Sequence, residues 1–228
     1  MEVCGALAYS NIPIGVLPGG TGNLLSRALG VPATMRRAVP ALLSGTEREI
    51  DLGMVFGRHF AVAAGVGVDA AMVENTTPRM KRRLGVIGYT ITAMRAALHA
   101  VIRRRFFLVR VEVNGEIIER RATSVLFANF GAILDDRISF GPDIEAHDGL
   151  LDCCIFSPAH LRDGIRILWC ALRGAPQNEA VVLYRKGARF LIQTDPAMPM
   201  QADGDLLGVT PAEITVQPLA ARLLVPAS

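Results

Sequence analysis

The chain has 228 residues, of which 51% are hydrophobic, so it can form a hydrophobic core and is not an intrinsically disordered chain. Its formal net charge of +3 is too small to indicate nucleic-acid binding, and we expect no nucleic-acid partner. The sequence lacks an uninterrupted apolar run of the ~20 residues that cross a bilayer, and it does not begin with the basic and apolar segments of a signal peptide. We therefore expect a cytoplasmic protein.

The first part of the chain predicts helices around one short strand. A helix over 2–9 precedes a strand over 12–17, and helices over 24–30 and 35–43 follow a glycine-rich loop. One strand is too few for a doubly wound α/β domain, which needs several strands to bury its helices. We therefore predict that residues 1–48 are the C-terminal remnant of a larger α/β nucleotide-binding domain.

Residues 49–228 predict a second, β-rich domain. Short β-branched or alternating segments recur between turn signals, and Asn114-Gly115 is a strong hairpin turn. The predicted strands cover residues 49–56, 59–66, 108–113, 116–121, 123–129, 150–156, 189–194, 200–202, 213–218 and 221–225. These are too many for one flat sheet, so we expect a β-sandwich with helices near 84–102 and 161–172. The predicted fold class is α+β, mostly β.

The glycine-rich segment 18–23, PGGTGN, lies between a predicted strand and a predicted helix. Glycines at such a junction let backbone amides approach a phosphate group. The segment lacks the Gly-Lys-Ser/Thr of a Walker A loop, and Leu25 stands where the dinucleotide fingerprint has its third glycine. Taken alone, the segment predicts either a phosphate-binding loop or an ordinary tight turn.

Each of two acidic segments can likewise be either a functional site or an ordinary turn. Glu145 and Asp148 lie three positions apart before a strand, which suits either an oxygen-ligand site for Mg²⁺ or an Asp-Gly turn. Asp203, in the segment QADGD, can be a general base or a hairpin-turn residue. Asp51 and Asp69 are single acids near strand ends, and we interpret them as satisfied turn residues.

The order and separation of these segments resemble the diacylglycerol kinase catalytic family, which includes bacterial lipid kinases and sphingosine kinases. The most specific segment is 15–32, GVLPGGTGNLLSRALGVP, which is similar to the second glycine motif of the family. An Ile-Asp-Leu-Gly strand at Asp51, a Phe-x₄-Gly-x-Gly-x-Asp segment at 60–69 and a Leu-Gly-x₃-Tyr helix start at 84–89 then follow in the order of the family.

The resemblance implies an enzyme that uses ATP and Mg²⁺ to phosphorylate a lipid hydroxyl at a membrane surface. It implies that Asp203 is the catalytic base. It assigns the nucleotide contacts to Gly20, Thr21, Gly22, Asn23, Asp51 and Asp205. It assigns a structural Mg²⁺ to Glu145, Asp148 and the carbonyl of Leu150.

The sequence departs from the family pattern in three places. Leu24 replaces an acid, and Asp205 replaces a glutamate that is one methylene longer. The ATP-binding Gly-Gly-Asp-Gly-Thr loop, expected just before the first helix, is not in the sequence. We therefore predict that this chain alone has little or no kinase activity, and that its uncovered apolar surface can support a homodimer.

Two other functions stay open. An NAD kinase would use a related fold and similar glycine-rich and aspartate-rich signatures, although the GTGNLLSRALG run matches the lipid branch better. A protein without catalytic activity, serving as a lipid-binding or dimerisation module, is the alternative outside enzyme chemistry. The four cysteines have no paired zinc-site spacing, which fits a reduced protein in the cytoplasm.

Overall fold

The computed structural model describes residues 2–20, 23–67, 106–133, 138–139, 144–160, 162–164, 166–167, 169 and 179–227. The helices with assigned bounds are α1 (Glu2–Ala6), α2 (Leu24–Ala28) and α3 (Met35–Leu43). The strands are β1 (Ile14–Gly15), β2 (Thr46–Val55), β3 (Arg58–Phe60), β4 (Ala63–Gly67), β5 (Phe107–Val113), β6 (Glu116–Ala122), β7 (Ser124–Ala128), β8 (Ala132–Ile133), β9 (Ile138–Ser139), β10 (Leu151–Phe156), β11 (Val182–Gly187), β12 (Arg189–Asp195), β13 (Pro199–Ala202), β14 (Asp205–Val209) and β15 (Ala212–Val225).

Two antiparallel sheets make up most of the described structure. The first has the order β3-β2-β15-β12-β5-β6, and β1 adds to β15 in parallel. The second has the order β11-β10-β7-β4-β13-β14, and β8 pairs with β9 separately. The link between β3 and β4 carries the chain from the first sheet to the second, so residues 61–62 lie where the two sheets meet.

The larger core lies between the two sheets. Residues alternate between buried and exposed along β5, as expected for a strand with one buried face. The rings of Phe127, from the second sheet, and Phe190, from the first, make an edge contact with centroids 5.2 Å apart. Cys153 and Cys154 are both buried but belong to different clusters, because successive side chains of a strand point to opposite faces. The sheets therefore form a sandwich.

A second core covers the outer face of the first sheet. Cys4, Leu29 and Leu42, from the N-terminal part of the chain, pack with Ile50 of β2 and Leu223 of β15. The helical segments thus lie on the sheet that contains the last strand. Among the described residues, no helix has the length and apolar character needed to cross a membrane.

The predicted fold class is confirmed: the protein is mostly β, with two antiparallel sheets and few helices. The predicted strand over 59–66 divides into β3 and β4, because the amides of Ala61 and Val62 bond a side chain instead of a neighbouring strand. The two predicted C-terminal strands are one strand, β15, with a register shift after Gln217. Strands β8, β9, β11 and β14 were not predicted.

The domain boundary after residue 48 stays a prediction. Residues 162–164, 166–167 and 169 are helical, in agreement with the helix predicted over 161–172. The helix predicted near 84–102, and Asp69, lie outside the described residues.

Candidate functional site

Asp203 is held by backbone amides at the junction of the two sheets. Its Oδ2 accepts the amide N–H of Ala61 at 2.7 Å. Its Oδ1 accepts those of Val62 and Ala63 at 2.9 and 3.0 Å. Asp203 has a φ of 46° and Gly204 a φ of 92°, so the pair forms the tight turn between β13 and β14. The turn interpretation of Asp203 is therefore supported, and the general-base interpretation stays a prediction.

Burial and hydrogen bonding have opposite effects on the pKa of the Asp203 carboxyl group. Burial raises its pKa above the ordinary value, and the three amide hydrogen bonds act in the opposite direction. A carboxylate offers about four acceptor positions, two on each oxygen. Two on Oδ1 and one on Oδ2 are taken by amides, which leaves one on Oδ2. That position is where Asp203 can take a proton.

Asp51 lies in the middle of β2 and is completely buried. Its Oδ2 accepts the Gly149 N–H at 2.7 Å, and its Oδ1 accepts the Leu219 N–H at 2.8 Å. Its own amide donates to the Ala146 carbonyl at 2.7 Å. The residue is satisfied by backbone groups, as expected, but it is in a strand and not in a turn. It anchors the 146–149 loop to the first sheet.

Asn129, which the sequence reasoning did not single out, joins these two aspartates. It is completely buried after β7 and donates from Nδ2 to the carbonyls of Asp51 and Ala61. Its backbone N–H donates to the Val62 carbonyl at 2.9 Å. The only sequence signal was an asparagine at the end of an otherwise apolar strand, and no spacing motif marked it.

The glycine-rich loop is closed by Asn23. The Asn23 Oδ1 accepts the Gly20 N–H at 2.7 Å, and Asn23 has a left-handed φ of 49°. The Asn23 carbonyl accepts the first helical hydrogen bond, from Arg27 at 3.0 Å. Thr21 and Gly22 lie outside the described residues. The loop therefore ends in a fixed asparagine directly before α2, as the sequence predicted.

The acidic loop before β10 is organised around Asp148 and Lys186. Asp148 Oδ1 accepts the Leu150 N–H at 3.0 Å, and Asp148 Oδ2 lies 3.1 Å from Lys186 Nζ. Lys186 Nζ also lies 3.9 Å from Asp152. Burial raises the pKa of Asp152 to about 7, although Lys186 opposes the shift. The turn interpretation of Asp148-Gly149 is supported by the left-handed φ of 73° at Gly149.

The donors assigned to Mg²⁺ fit that ion by type. Glu145 and Asp148 supply carboxylates with 59% and 22% of the side chain exposed, and Leu150 adds a main-chain carbonyl. Within the described residues, no three His, Cys, Asp or Glu side chains form a metal-binding group. An ion at this loop would therefore use a main-chain carbonyl and water beside the carboxylates, and would share Asp148 with Lys186.

A cleft of about 470 Å³ brings the helix after the glycine-rich loop next to the acidic loop. It is lined by cationic, acidic and apolar groups, among them Arg27, Arg48, Phe130, Glu145 and His147. Asp203 is not part of its lining. Asp205, the last predicted contact residue, is exposed at the start of β14. The predicted residues thus form two groups, one at the glycine-rich and acidic loops and one at the Asp203 turn. Asp51 and Asn129 connect the acidic loop with the Asp203 turn.

Two family models match the chain in succession. The model of the diacylglycerol kinase catalytic domain matches residues 1–55. The model of the YegS C-terminal NAD kinase beta sandwich-like domain matches residues 61–225, which is more than half of the chain.

Curated relatives carry related names. The diacylglycerol kinase of Bacillus subtilis (strain 168) is 29% identical over 93% of this chain and 69% of that protein. A Pseudomonas aeruginosa protein named "Probable lipid kinase YegS-like" is 29% identical over 99% of this chain and 73% of that protein. An uncharacterized Synechocystis protein is 27% identical over 98% of this chain. The chain spans only 52% of the Synechocystis protein's length.

Solved structures share the fold. A crystal structure from Bacillus anthracis str. Sterne has a TM-score of 0.77 at 23% identity, and covers 93% of this chain and 68% of that chain. The crystal structure of a diacylglycerol kinase from the same organism has a TM-score of 0.68 at 19% identity, over 93% of this chain and 66% of that chain. These structures show the fold, and the two family models show that the chain belongs to the diacylglycerol kinase and YegS-like lipid kinase family.

Proposed function

We propose that the whole protein transfers the γ-phosphate of ATP to the hydroxyl of a lipid, and that Asp203 is the general base. The observation that carries this proposal is the Asp203 carboxylate, fixed by three amides with one acceptor position left on Oδ2. A base has to be within hydrogen-bond reach of the proton it removes and be held in a fixed direction. Burial raises the pKa of Asp203, which makes its carboxylate a stronger base than an ordinary aspartate.

In this mechanism, Asp203 Oδ2 takes the proton of the lipid O–H group. The lipid oxygen then forms a bond to the γ-phosphorus, and the bond from that phosphorus to the β,γ-bridging oxygen breaks to release ADP. The segment 20–23 would contact the phosphates of ATP, with the carboxamide N–H groups of Asn23 as donors, because the Gly20 N–H already donates to Asn23 Oδ1. Phosphoryl transfer depends mostly on such positioning and on charge stabilisation.

Mg²⁺, where it binds, supplies positive charge that offsets negative oxygen atoms. Glu145, Asp148 and the Leu150 carbonyl are the groups that would hold it. The Asp51 carboxylate would act through the backbone, because both of its oxygens accept amide N–H groups. Asp205, which is exposed beside the turn, would contact the nucleotide.

An apolar patch next to the Asp203 turn supports a lipid acceptor. Leu206 and Val209 of β14 are 46% and 57% exposed, and Phe56 is 43% exposed. A Cβ atom added at Gly208 would lie 2.9 Å from the Phe56 ring, so the β2–β3 turn packs against β14. Exposed apolar side chains along a sheet edge, where β14 lies, suit contact with a membrane surface. We propose that a cytoplasmic protein approaches the bilayer with this patch, which consists of Phe56, Leu206 and Val209.

The test is a panel of lipids with labelled ATP and Mg²⁺. It compares this chain, the polypeptide extended upstream in frame, and the extended Asp203→Asn variant, with Glu213→Gln as the control. Glu213 is a half-exposed acid paired with Arg189 at 2.7 Å. We expect phosphorylated lipid from the extended protein and the control, and a loss of about 10²- to 10⁴-fold in Asp203→Asn. If the extended protein is folded and phosphorylates NAD but no lipid, the result would favour an NAD kinase. If it is folded and forms neither product, the result would favour a binding or dimerisation module.

A further inference from the structure

Asn129 occupies the point where the two sheets meet. It follows β7 of the second sheet, and its Nδ2 reaches the Asp51 carbonyl in the first sheet at 2.8 Å. The same Nδ2 donates to the Ala61 carbonyl at 2.9 Å, in the link that joins the sheets. Since both partners are carbonyl oxygens, the donor end of the carboxamide must face them.

Residues 61–63, which are the link and the first residue of β4, are held from two sides. On one side, the amides of Ala61, Val62 and Ala63 donate to the Asp203 carboxylate. On the other side, the carbonyls of Ala61 and Val62 accept from the side chain and backbone of Asn129. The residues whose amides hold the Asp203 carboxylate are thus also bonded through their carbonyls to Asn129.

The same asparagine connects Asp203 to the acidic loop. Asp51 accepts from Asn129 through its main-chain carbonyl. Its carboxylate accepts the Gly149 N–H at 2.7 Å. Gly149 follows Asp148, which bonds both the Leu150 amide and Lys186. A continuous series of hydrogen bonds therefore runs from the Asp203 turn through Asn129 to the 146–149 loop.

We propose that Asn129 is a positioning residue of the phosphoryl transfer, which fixes the Asp203 carboxylate and the acidic loop in one arrangement through its two Nδ2 hydrogen bonds. This inference rests on the proposed function. Among short side chains, only asparagine offers two protons on one nitrogen at this reach; serine has one, and an ionised aspartate has none. A displacement of about 1 Å at a reacting group can lower a rate by about 10²-fold.

The first measurement uses this chain and does not depend on activity. Amide hydrogen exchange is compared between wild type, Asn129→Ser, Asn129→Ala and Val125→Ala. Val125 is a completely buried core residue of β7, so its truncation lowers stability without touching the hydrogen bonds of Asn129. We expect the amides of 61–63 and of Gly149 to exchange more than about tenfold faster in the Asn129 variants, relative to amides of β5. The inference would be overturned if exchange in the Asn129 variants accelerates equally at all amides, as it does in Val125→Ala.

If neither Asn129 variant folds, wild-type exchange decides the question. The coupling between residues 61–63 and the acidic loop is supported if the 61–63 amides and the Gly149 amide share one opening free energy, and if this differs from that of the β5 amides. Independent opening of the two segments contradicts it.

The second measurement is kinetic, on the upstream-extended protein under conditions where every variant is folded. We expect kcat to fall by about 10- to 100-fold in Asn129→Ser, with KM for ATP changed by less than about threefold, since the residue acts through Asp203. Val125→Ala should keep kcat within about twofold of wild type. Equal effects of the two substitutions on kcat would reduce Asn129 to a packing role. Wild-type protein that phosphorylates no lipid would instead defeat the proposed function, and the exchange experiment alone would then decide whether Asn129 holds Asp203.

Discussion

Asp203 and Ala63 are joined by two hydrogen bonds in opposite directions. The Ala63 N–H donates to the Asp203 carboxylate at 3.0 Å, and the Asp203 N–H donates to the Ala63 carbonyl at 2.9 Å. The second bond extends the pairing of β13 with β4 one position past Ala202, and the first adds a side-chain bond to the same residue. A catalytic candidate is thus also a structural clamp, so its substitution affects both rate and stability.

Asp203→Asn should separate these two effects. The amide can still accept from Val62 and Ala63, but its NH₂ group faces the Ala61 N–H, so one charge-assisted hydrogen bond is lost. We expect the free energy of unfolding to fall by about 1.5–3 kcal/mol, measured by urea denaturation. Activity at a temperature where the variant is folded should fall by about 10²-fold or more. A variant that loses activity only in proportion to its unfolded fraction would contradict the base assignment.

Asp51→Ala should be more destabilising than a typical surface substitution. It removes the acceptor of two amides, those of Gly149 and Leu219, from a completely buried position. An unsatisfied buried amide costs about 1–3 kcal/mol, so we expect a loss of about 2–5 kcal/mol in the free energy of unfolding. The exposed Glu47→Ala in the same strand is the matched control and should change stability by less than about 1 kcal/mol. Similar losses in the two variants would rule out the anchoring role.

Asp152 should make stability depend on pH between about 4 and 7. Burial raises its pKa from 3.8 to about 7 in the folded protein, so the folded state binds more protons than the unfolded state in this range. Its contribution to stability is therefore fully present below pH 3.8 and is lost as the pH rises through 7. The slope reaches about 1.4 kcal/mol per pH unit for one proton.

Urea midpoints at several pH values, for wild type and Asp152→Asn, measure this dependence. The amide does not titrate, so the variant should have a flatter profile between pH 4 and 7. A profile with the same slope as wild type would show that other groups cause the dependence.

Gly53→Ala should disturb the core directly. A Cβ atom at Gly53 would overlap the ring of Phe60, which is completely buried between the sheets. Overpacking of this kind costs about 1–3 kcal/mol, and thermal denaturation should show a matching fall in Tm. Gly164→Ala is the control, because a Cβ there meets nothing within 4 Å. An unchanged Tm in Gly53→Ala would mean that the Phe60 ring can move aside.

The exposed patch predicts membrane binding that depends on apolar side chains. Changing Leu206 and Val209 together to glutamine should lower partition into vesicles by about tenfold or more, because each half-exposed side chain contributes about 0.7–1.5 kcal/mol of apolar burial in the membrane. Ile117→Gln, at a 51% exposed position in β6, is the control and should leave partition unchanged. Vesicle sedimentation measures all three. Equal partition of wild type and the double variant would place the membrane contact elsewhere.

The sequence predicted elements best where local pattern and packing agree. Helix α3 begins and ends at the predicted residues, and the Asn114-Gly115 turn has the expected left-handed φ values of 51° and 80°. Strand β14 was missed because Asp203-Gly204-Asp205 predicted only a turn. Strand β15 was divided because Pro218 lies at an irregularity that the pairing with β2 spans.

The candidate site was predictable only as separate parts. Glycine and aspartate motifs marked the segments around Asn23, Asp148 and Asp203, since those residues need special turns that leave a sequence signal. The series of hydrogen bonds through Asn129 joins residues 51, 61 and 203, which no local pattern relates. Such contacts depend on how the two sheets are placed against each other, and that placement is a property of the whole fold.

The position of β15 has a consequence for how the protein is made. Residues 212–225 pair with β1, β2 and β12, so the centre of the first sheet is completed by a strand that is synthesised after all three of its partners. During translation, β1 and β2 stay unpaired on this side until a strand more than 150 residues away is synthesised, and their apolar faces are exposed in the meantime. Chaperone demand should therefore be concentrated in the interval before residue 225 leaves the ribosome.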